Sequence, residues 1–337
     1  MTYLRAIFSS LQRHRMLWPL LALAMIWAVI VVLNPAFFCF TVKDGRVLGG
    51  LVDILNRGAP IALIAIGMSL VIATGGIDLS VGAVMAIAGA VAANIISGGA
   101  LPVWMIIAAG LGTGLFAGLV NGTLVAGLGV QPIVATLILL VAGRGVAQLI
   151  NDGQIITFQN ESFAFLGVGN ILGLPTPVWL VAFLLAGLLT LTRKTALGLF
   201  IESVGANASA SHYVGIPVKS VKLAVYAISG LCAALAGLVA TADIQGADAN
   251  NVGLWIELDA ILAVVIGGAS LMGGRYSLAL AVISALIIQS LNTAIVLSGI
   301  PPKFNLVIKA VVIIAVLLLQ SSIAQAQLAS LRARLTA

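Results

Sequence analysis

A carboxylate, a guanidinium and an ammonium group stand inside or beside otherwise apolar stretches of this sequence. Asp78 lies in Ala73-Thr74-Gly75-Gly76-Ile77-Asp78-Leu79-Ser80-Val81-Gly82, which interrupts a long apolar stretch with a glycine pair. Two glycines free the backbone from helical geometry, and Asp78 or Ser80 can cap a following helix. Two readings stay open here: a turn between two helices, or a broken helix that lines a path and exposes Asp78 to it. Arg144 sits in Val141-Ala142-Gly143-Arg144-Gly145-Val146. In a mid-membrane helix it would cost roughly 2.5–3.5 kcal/mol on insertion scales. It either packs, snorkels to an interface, or faces a path. Lys309, near the end of the last apolar run, reads as snorkelling. Asn121, Gln131, Thr136, Gln148, Gln289 and Asn292 fall within or at the ends of apolar runs. Their side chains can match hydroxyl groups, and such residues also bond to neighbouring helices.

Other chemistries lack their residues. Asp243, Asp248, Glu257 and Asp259 would suggest a cation site, but no ligand spacing recurs, so they read as a solvated acidic loop. No G-x-x-x-x-G-K-[ST] phosphate loop occurs, so ATP hydrolysis by that route is not expected. H-E-x-x-H and C-x-x-C are also missing, and the histidines, His14 and His212, are far apart. No catalytic residue and no metal site is expected, and Cys39 and Cys232 are not expected to pair. The net charge of +6 is no nucleic-acid footprint, because the basic residues cluster beside apolar runs.

The medium that positions these groups follows from composition. Of 337 residues, 61% are hydrophobic and 8% charged, against about 25% charged in soluble domains. Apolar runs fall near 17–33, 53–73, 79–97, 102–127, 132–150, 177–192, 221–242, 258–272, 276–298 and 304–321, with 177–192 and 258–272 short for a span. They do not alternate as barrel strands do, and Ala260 to Ile266 is apolar throughout. The expected fold is all-α: a polytopic transmembrane helix bundle of about ten spans. Segment 1–16 is a cytoplasmic N-terminus, 17–321 the transmembrane domain, and 322–337 a cytoplasmic tail. The first run reads as a retained helix, since no small-residue cleavage site follows it.

Basic residues set the orientation. Arg5, Arg13, Arg15, Arg193, Lys194, Lys219, Lys222, Arg275, Arg332 and Arg334 fall on one side, and Lys43, Arg46, Arg57 and Lys303 on the other. Ten against four places both termini in the cytoplasm. The inner connection 193–220 carries a short helix, Ile201–Ala210, ended by Gly215-Ile216-Pro217. It is either a docking element for a cytoplasmic partner or an ordinary loop. The 37 glycines serve helix packing, and Thr74-Gly75-Gly76 and Met272-Gly273-Gly274 are faintly self-similar.

Three stretches taken together resemble the ribose/galactoside-type permease family of ABC importers. They are Gly75-Gly76-Ile77-Asp78-Leu79-Ser80-Val81-Gly82, Glu202-x-x-Gly205-x-Asn207 with Gly215-Ile216, and Glu257-Leu258-Asp259-Ala260 through Gly267-Gly268. The resemblance covers about 50–320. It implies a bacterial inner-membrane permease that moves a sugar inward by alternating access. Asp53 to Arg57, Val141 to Ile150, Thr192 to Gly198 and Gly246 to Asn251 are similar to members that handle galactofuranose, which implies that sugar or a similar monosaccharide. It further implies a second permease subunit, identical or homologous, a periplasmic sugar-binding protein, and a separate cytoplasmic ATPase subunit that holds ATP-Mg. No cofactor is implied in this chain. Glu202, Gly205, Asn207 and Gly215 correspond to the family's ATPase-coupling loop, and Glu202→Arg or Gly205→Trp is expected to uncouple transport without blocking insertion. The segment departs from the family at Asn207-Ala208-Ser209-Ala210-Ser211-His212-Tyr213, where charged or Ala-Ala pairs are commoner. Asp78, Asn121, Gln131, Thr136, Arg144, Gln148, Gln289 and Asn292 remain candidate pathway residues. An ion-coupled secondary transporter is the alternative, and it needs buried ionisable groups. Only Asp78, Arg144 and Lys309 offer them. A membrane-embedded enzyme ranks third.

Overall fold

The computed structural model describes residues 17–301 except 44 and 100, then 304, 306–311 and 314. Segment 1–16 with Arg5, Arg13 and Arg15, Lys303, most of the expected span 304–321, and the tail 322–337 with Arg332 and Arg334 lie outside the described residues.

The apolar runs form helices because lipid leaves the backbone no partner but itself. In chain order these are α1 (Leu17–Leu33), α2 (Gly50–Ala73), α3 (Val81–Ser97), α4 (Val103–Gly122), α5 (Pro132–Ile150), α6 (Glu161–Val168), α7 (Thr176–Lys194), α8 (Ala196–Ala206), α9 (Ala208–Tyr213), α10 (Val218–Ile244), α11 (Ile256–Ile266) and α12 (Leu278–Leu297). A π turn, Thr123–Gly127, extends α4. Three two-stranded pairs join β1 (Thr41–Lys43) to β2 (Arg46–Leu48), β3 (Ile156–Thr157) to β6 (Gly246–Ala247), and β4 (Asn170–Ile171) to β5 (Leu174–Pro175). Among the described residues six helices are long and apolar enough to cross a membrane: α2, α4 with its π turn, α5, α7, α10 and α12. The chain is an all-α membrane bundle. Helices α1 and α3, at 17 residues each, sit at the short limit of a span.

Helix α10 packs against α2, α3, α4 and α6, and glycines set how closely. A side chain on Gly114 or Gly230 would run into the other residue's backbone, and one on Gly118 into the Tyr226 carbonyl. Small residues of this kind replace the missing hydrophobic drive between helices in lipid. The contacts also fix direction. Gly67 of α2 meets Ser229 and Cys232, while Gly237 meets Met85 and Gly89 meets Thr241. The Asn56–Pro60 end of α2 shares a cavity wall with Val239 to Ile244. Helix α2 therefore runs antiparallel to α10, and α3 parallel to it. The chain reverses at 74–80, so the Gly75-Gly76 break is a turn, with Gly75 at φ +78°.

One expected span is different. The run 258–272 is helical only over Ile256–Ile266. After α10 the chain pairs β6 with β3, then returns as a non-helical leg, 248–255, until Gly253 lies backbone to backbone with Gly82. With Met85 level with Gly237, that contact lies roughly 15 Å along the axis below the end of α10, at 1.5 Å per residue. The sequence of the leg explains why it is not a helix. Asp248 Oδ1 accepts bonds from the Asn250 and Asn251 amides at 2.9 and 3.2 Å, a local turn that competes with helix. Gly253 and Trp255 then take φ of +69° and +65°. The chain is thus discontinuous at 245–266. Gly267 and Gly268 end α11, and the Gly274 amide donates to the Ala73 carbonyl at 2.8 Å. The two self-similar glycine pairs meet in space.

The connection 193–220 also differs in detail. The expected single helix over Ile201–Ala210 is two, α8 and α9, split at Asn207. Its side chain accepts from the Ala210 amide while its backbone is extended at φ −161°, ψ 101°, the conformation of an N-cap.

Candidate functional site

At the end of the bundle that holds the 74–80 turn, Asp78 is 1% exposed. Its Oδ1 accepts from the Ser80 hydroxyl at 2.6 Å and the Ser80 amide at 3.0 Å, and its Oδ2 from the Ser229 hydroxyl at 2.8 Å. Asn121 Nδ2 donates to Ser80 Oγ at 2.8 Å. The Thr136 hydroxyl donates to the Ile77 carbonyl at 3.2 Å, tying α5 to the same turn. Asp78, Ser80, Asn121 and Ser229 thus join α2, α3, α4 and α10 at one node. A carboxylate in such a place must be hydrogen-bonded, and its partners come from helices far apart in sequence.

Arg144 is also engaged. Its Nη1 donates to the carbonyls of Ala249 at 3.1 Å and Val252 at 2.5 Å. Gln148 Nε2 bonds Asn250 Oδ1 at 2.7 Å, and Asn151 Nδ2 bonds the Ala247 carbonyl at 3.1 Å. One face of α5 therefore holds the non-helical leg and satisfies carbonyls that no helix satisfies. Irregular backbone at membrane depth requires such partners. Replacing Arg144 with glutamine will orphan the Ala249 and Val252 carbonyls, at about 1–3 kcal/mol each. A cysteine placed at the half-exposed Leu254 will then react several-fold faster with a water-soluble maleimide than in the otherwise wild-type chain.

The acidic residues do not form one solvated loop. Glu257 is 5% exposed, in the first turn of α11. Asp259 binds Lys309 Nζ through both oxygens, at 3.0 and 2.9 Å. Lys309 is 9% exposed, so it does not snorkel; it pins the start of α11 to residues 306–311, which are helical. Among the described residues no group of three or more His, Cys, Asp or Glu could hold a metal ion.

At the opposite end, a cavity of about 380 Å³ opens between α2, α3, α10, α12 and the non-helical leg. Asn56, Arg57, Asp243 and Gln289 are its polar wall, and Met85, Val252 and Gly253 lie at its depth. Of the expected pathway residues, Gln289 lines it. Asn292 lies one turn further along α12, with Oδ1 buried and without a hydrogen-bond partner among the described residues. Gln131 is exposed just before α5 at the other end. Asn121, Thr136, Arg144 and Gln148 take part in the contacts above. The cavity residues Asn56, Arg57 and Asp243 were missed as a group. They belong to two helices nearly 190 positions apart, and only the antiparallel packing of α2 on α10 joins them.

The segment 196–217 caps the 74–80 end. Gly205 is wedged between the Ala73 carbonyl and the Gly274 amide, so a side chain there would strike backbone. Glu202 lies beside a pocket of about 260 Å³ with Arg193, Thr192 and Tyr276. Burial pushes the Tyr276 phenol above its ordinary range, a hydrogen bond with Thr192 opposing it. Asn207 caps α9, and Gly215 has φ +86°. Helix α9 projects Tyr213, 88% exposed, and Val214, 76% exposed. A groove of about 550 Å³ runs beside them, lined by His212, Lys219 and Lys222 among others.

A glycine-packed apolar bundle, a discontinuous segment at membrane depth and a polar cavity define a membrane transport component. The chain belongs to the family described as branched-chain amino acid transport system / permease component, whose model matches residues 50–317. It is 56% identical to the galactofuranose transporter permease protein of Escherichia coli K12, over 93% of each chain. It is 40% identical to the fructose import permease protein of Bifidobacterium longum, over 93% of this chain and 89% of that one. It is 37% identical to the ribose import permease protein of Escherichia coli K12, over 90% and 92%. No solved structure matches the chain.

Proposed function

We propose that this chain is the permease subunit of an ATP-driven sugar importer, carrying galactofuranose or a similar monosaccharide inward across the bacterial cytoplasmic membrane. The observation that carries the reading is 56% identity, over 93% of both chains, to a galactofuranose transporter permease. The cycle is alternating access. A separate cytoplasmic ATPase binds ATP-Mg and closes, the docked segment α8–α9 moves with it, and the path opens to a periplasmic sugar-binding protein. A second permease subunit, identical or homologous, completes the path. In this reading the bundle has ten spans with both termini in the cytoplasm, and the 74–80 end faces inward.

The wedged Gly205 supports a stiff link. Motion of α8 is passed by backbone contact to the end of α2 and to the 272–274 turn. For the same reason Gly205→Trp is a folding lesion, and it does not serve as a test of coupling. An ion-coupled transporter finds less support, since Asp78, Arg144 and Lys309 are each held by fixed partners. The test is to co-purify the chain with its ATPase and binding protein in lipid discs, and to measure ATPase activity over a panel of aldoses. Sugar-dependent stimulation, several-fold and requiring the binding protein, is expected. Uptake that survives ATP depletion but collapses with the proton gradient would overturn the reading.

A further inference from the structure

The polar groups of this molecule divide into two sets. Asp78, Arg144, Gln148 and Asn151 are each engaged by protein partners. The amides on the wall of the 380 Å³ cavity, Asn56 and Gln289, are not. Among the described residues, the side chains of Asn56, Asp243 and Gln289 make no hydrogen bond, and Asn56 Oδ1 is buried without one. Arg57 meets Asp53 at 3.6 Å on an exposed face, and its positive charge also acts on the Asp243 carboxylate. Buried and half-buried polar groups are ordinarily paired. Here the half-buried Asn56 and the buried Gln289 lack such a pairing beside a cavity whose rim carries the exposed Arg57 and Asp243, and unpaired amides at a cavity mark a place where something else supplies the partner.

We propose that this cavity is a transient monosaccharide site within the protomer, with the non-helical leg at Val252–Gly253 as its floor. The inference rests on the sugar-importer reading above. The volume lies within the range of small-molecule sites, about 300–1,000 Å³. The chemistry of the wall selects the ligand class. A carboxylate accepts from two adjacent hydroxyls, a guanidinium donates to two, and two carboxamides do both. A neutral polyol matches all four, whereas an anion would meet Asp243 and a cation Arg57. Among the described residues no aromatic ring lines the cavity, so hydrogen bonds, without stacking from these residues, hold the sugar. A transport site must bind well enough to admit and weakly enough to release. Below the floor, Gly253 rests on Gly82 and the unpaired Glu257 Oε2 lies near both. A shift of the leg would open the cavity toward the interior.

The experiment uses the intact complex in lipid discs, with galactofuranose and ribose as probes. Uptake KM and maximal rate are measured for wild type, Gln289→Leu, Gln289→Glu, Asn56→Ala and the cavity-filling Ala240→Phe. Thr190→Ala, on the distant face of α7, is the control. We expect KM to rise tenfold or more in Gln289→Leu and Asn56→Ala, and to recover partly in Gln289→Glu. We also expect the preference between the two sugars to change. Ala240→Phe is expected to lose uptake while keeping its thermal midpoint. If Ala240→Phe fails to fold, the two polar substitutions decide alone. Unchanged KM and unchanged preference in folded Gln289→Leu and Asn56→Ala overturn the site while leaving the importer reading intact. A wild-type complex that moves neither of these sugars nor any other monosaccharide of the panel removes the importer reading itself.

Discussion

In the proposed importer, Tyr213→Ala combined with Val214→Ala will weaken capture of the ATPase by at least about thirtyfold and reduce sugar uptake in proportion. Both side chains project into solvent at 88% and 76% exposure, so their loss leaves the bundle's packing intact. Aromatic anchors at protein interfaces cost about 2–4 kcal/mol when truncated, and each 1.4 kcal/mol is a factor of about ten. Helix α9 is short, and Asn207 and Gly215 at its ends hold it as a projecting knuckle. The check is pull-down of the ATPase together with uptake, with thermal midpoint as control. Glu202→Arg is the companion substitution. It places a second cation beside Arg193 in the pocket by Tyr276 and is expected to slow coupled turnover without abolishing ATPase binding. A Tyr213/Val214 variant that binds and transports normally would exclude α9 from the docking surface.

The second large effect is on stability. Asp78→Leu will strand the Ser80 and Ser229 hydroxyls and loosen the Asn121 amide, which now converge on one carboxylate. Each buried group left unpaired costs about 1–3 kcal/mol. A shift of about 4 kcal/mol lowers the thermal midpoint of a large domain by roughly 10 °C. Asp78→Asn keeps the shape and one acceptor oxygen, and the serine hydroxyls can rotate to accept from the new amide, so it should lose less than half as much. The pair is read by thermal scanning in detergent. An equal loss in both variants would mean that the negative charge, and not the hydrogen-bonding shape, holds the node.

The class of fold was legible in the residues, as were the bundle, the glycine-rich seams and the break at Gly75-Gly76. Lipid imposes one rule, internal backbone pairing, and a run such as Ile61 to Ala73 can obey it only as a helix. The end of the segment 196–217 was also visible, because Gly215 and Pro217 are local signals that act over two or three residues, whereas the Asn207 cap that splits it lay inside the helix expected over Ile201–Ala210. Arg144 stood out as costly, but its purpose did not. The carbonyls it serves are more than 100 positions away, and they need it only because 248–255 is not helical.

Sequence alone determined what acts through near neighbours: which stretches become apolar helices, where glycine breaks them, and which short helices are capped. Tertiary structure decided what depends on distant helices coming side by side. It made 74–80 a reversal, ended the helix of the run expected at 258–272 at Ile266 and set a braced non-helical leg, 248–255, before it, and paired Lys309 with Asp259. It also gathered Asn56, Arg57, Asp243 and Gln289 around one cavity. The physical reason is that helical periodicity is a property of adjacent residues. Burial of a charge or an amide is a property of the neighbours that packing supplies, and no single run of residues contains them.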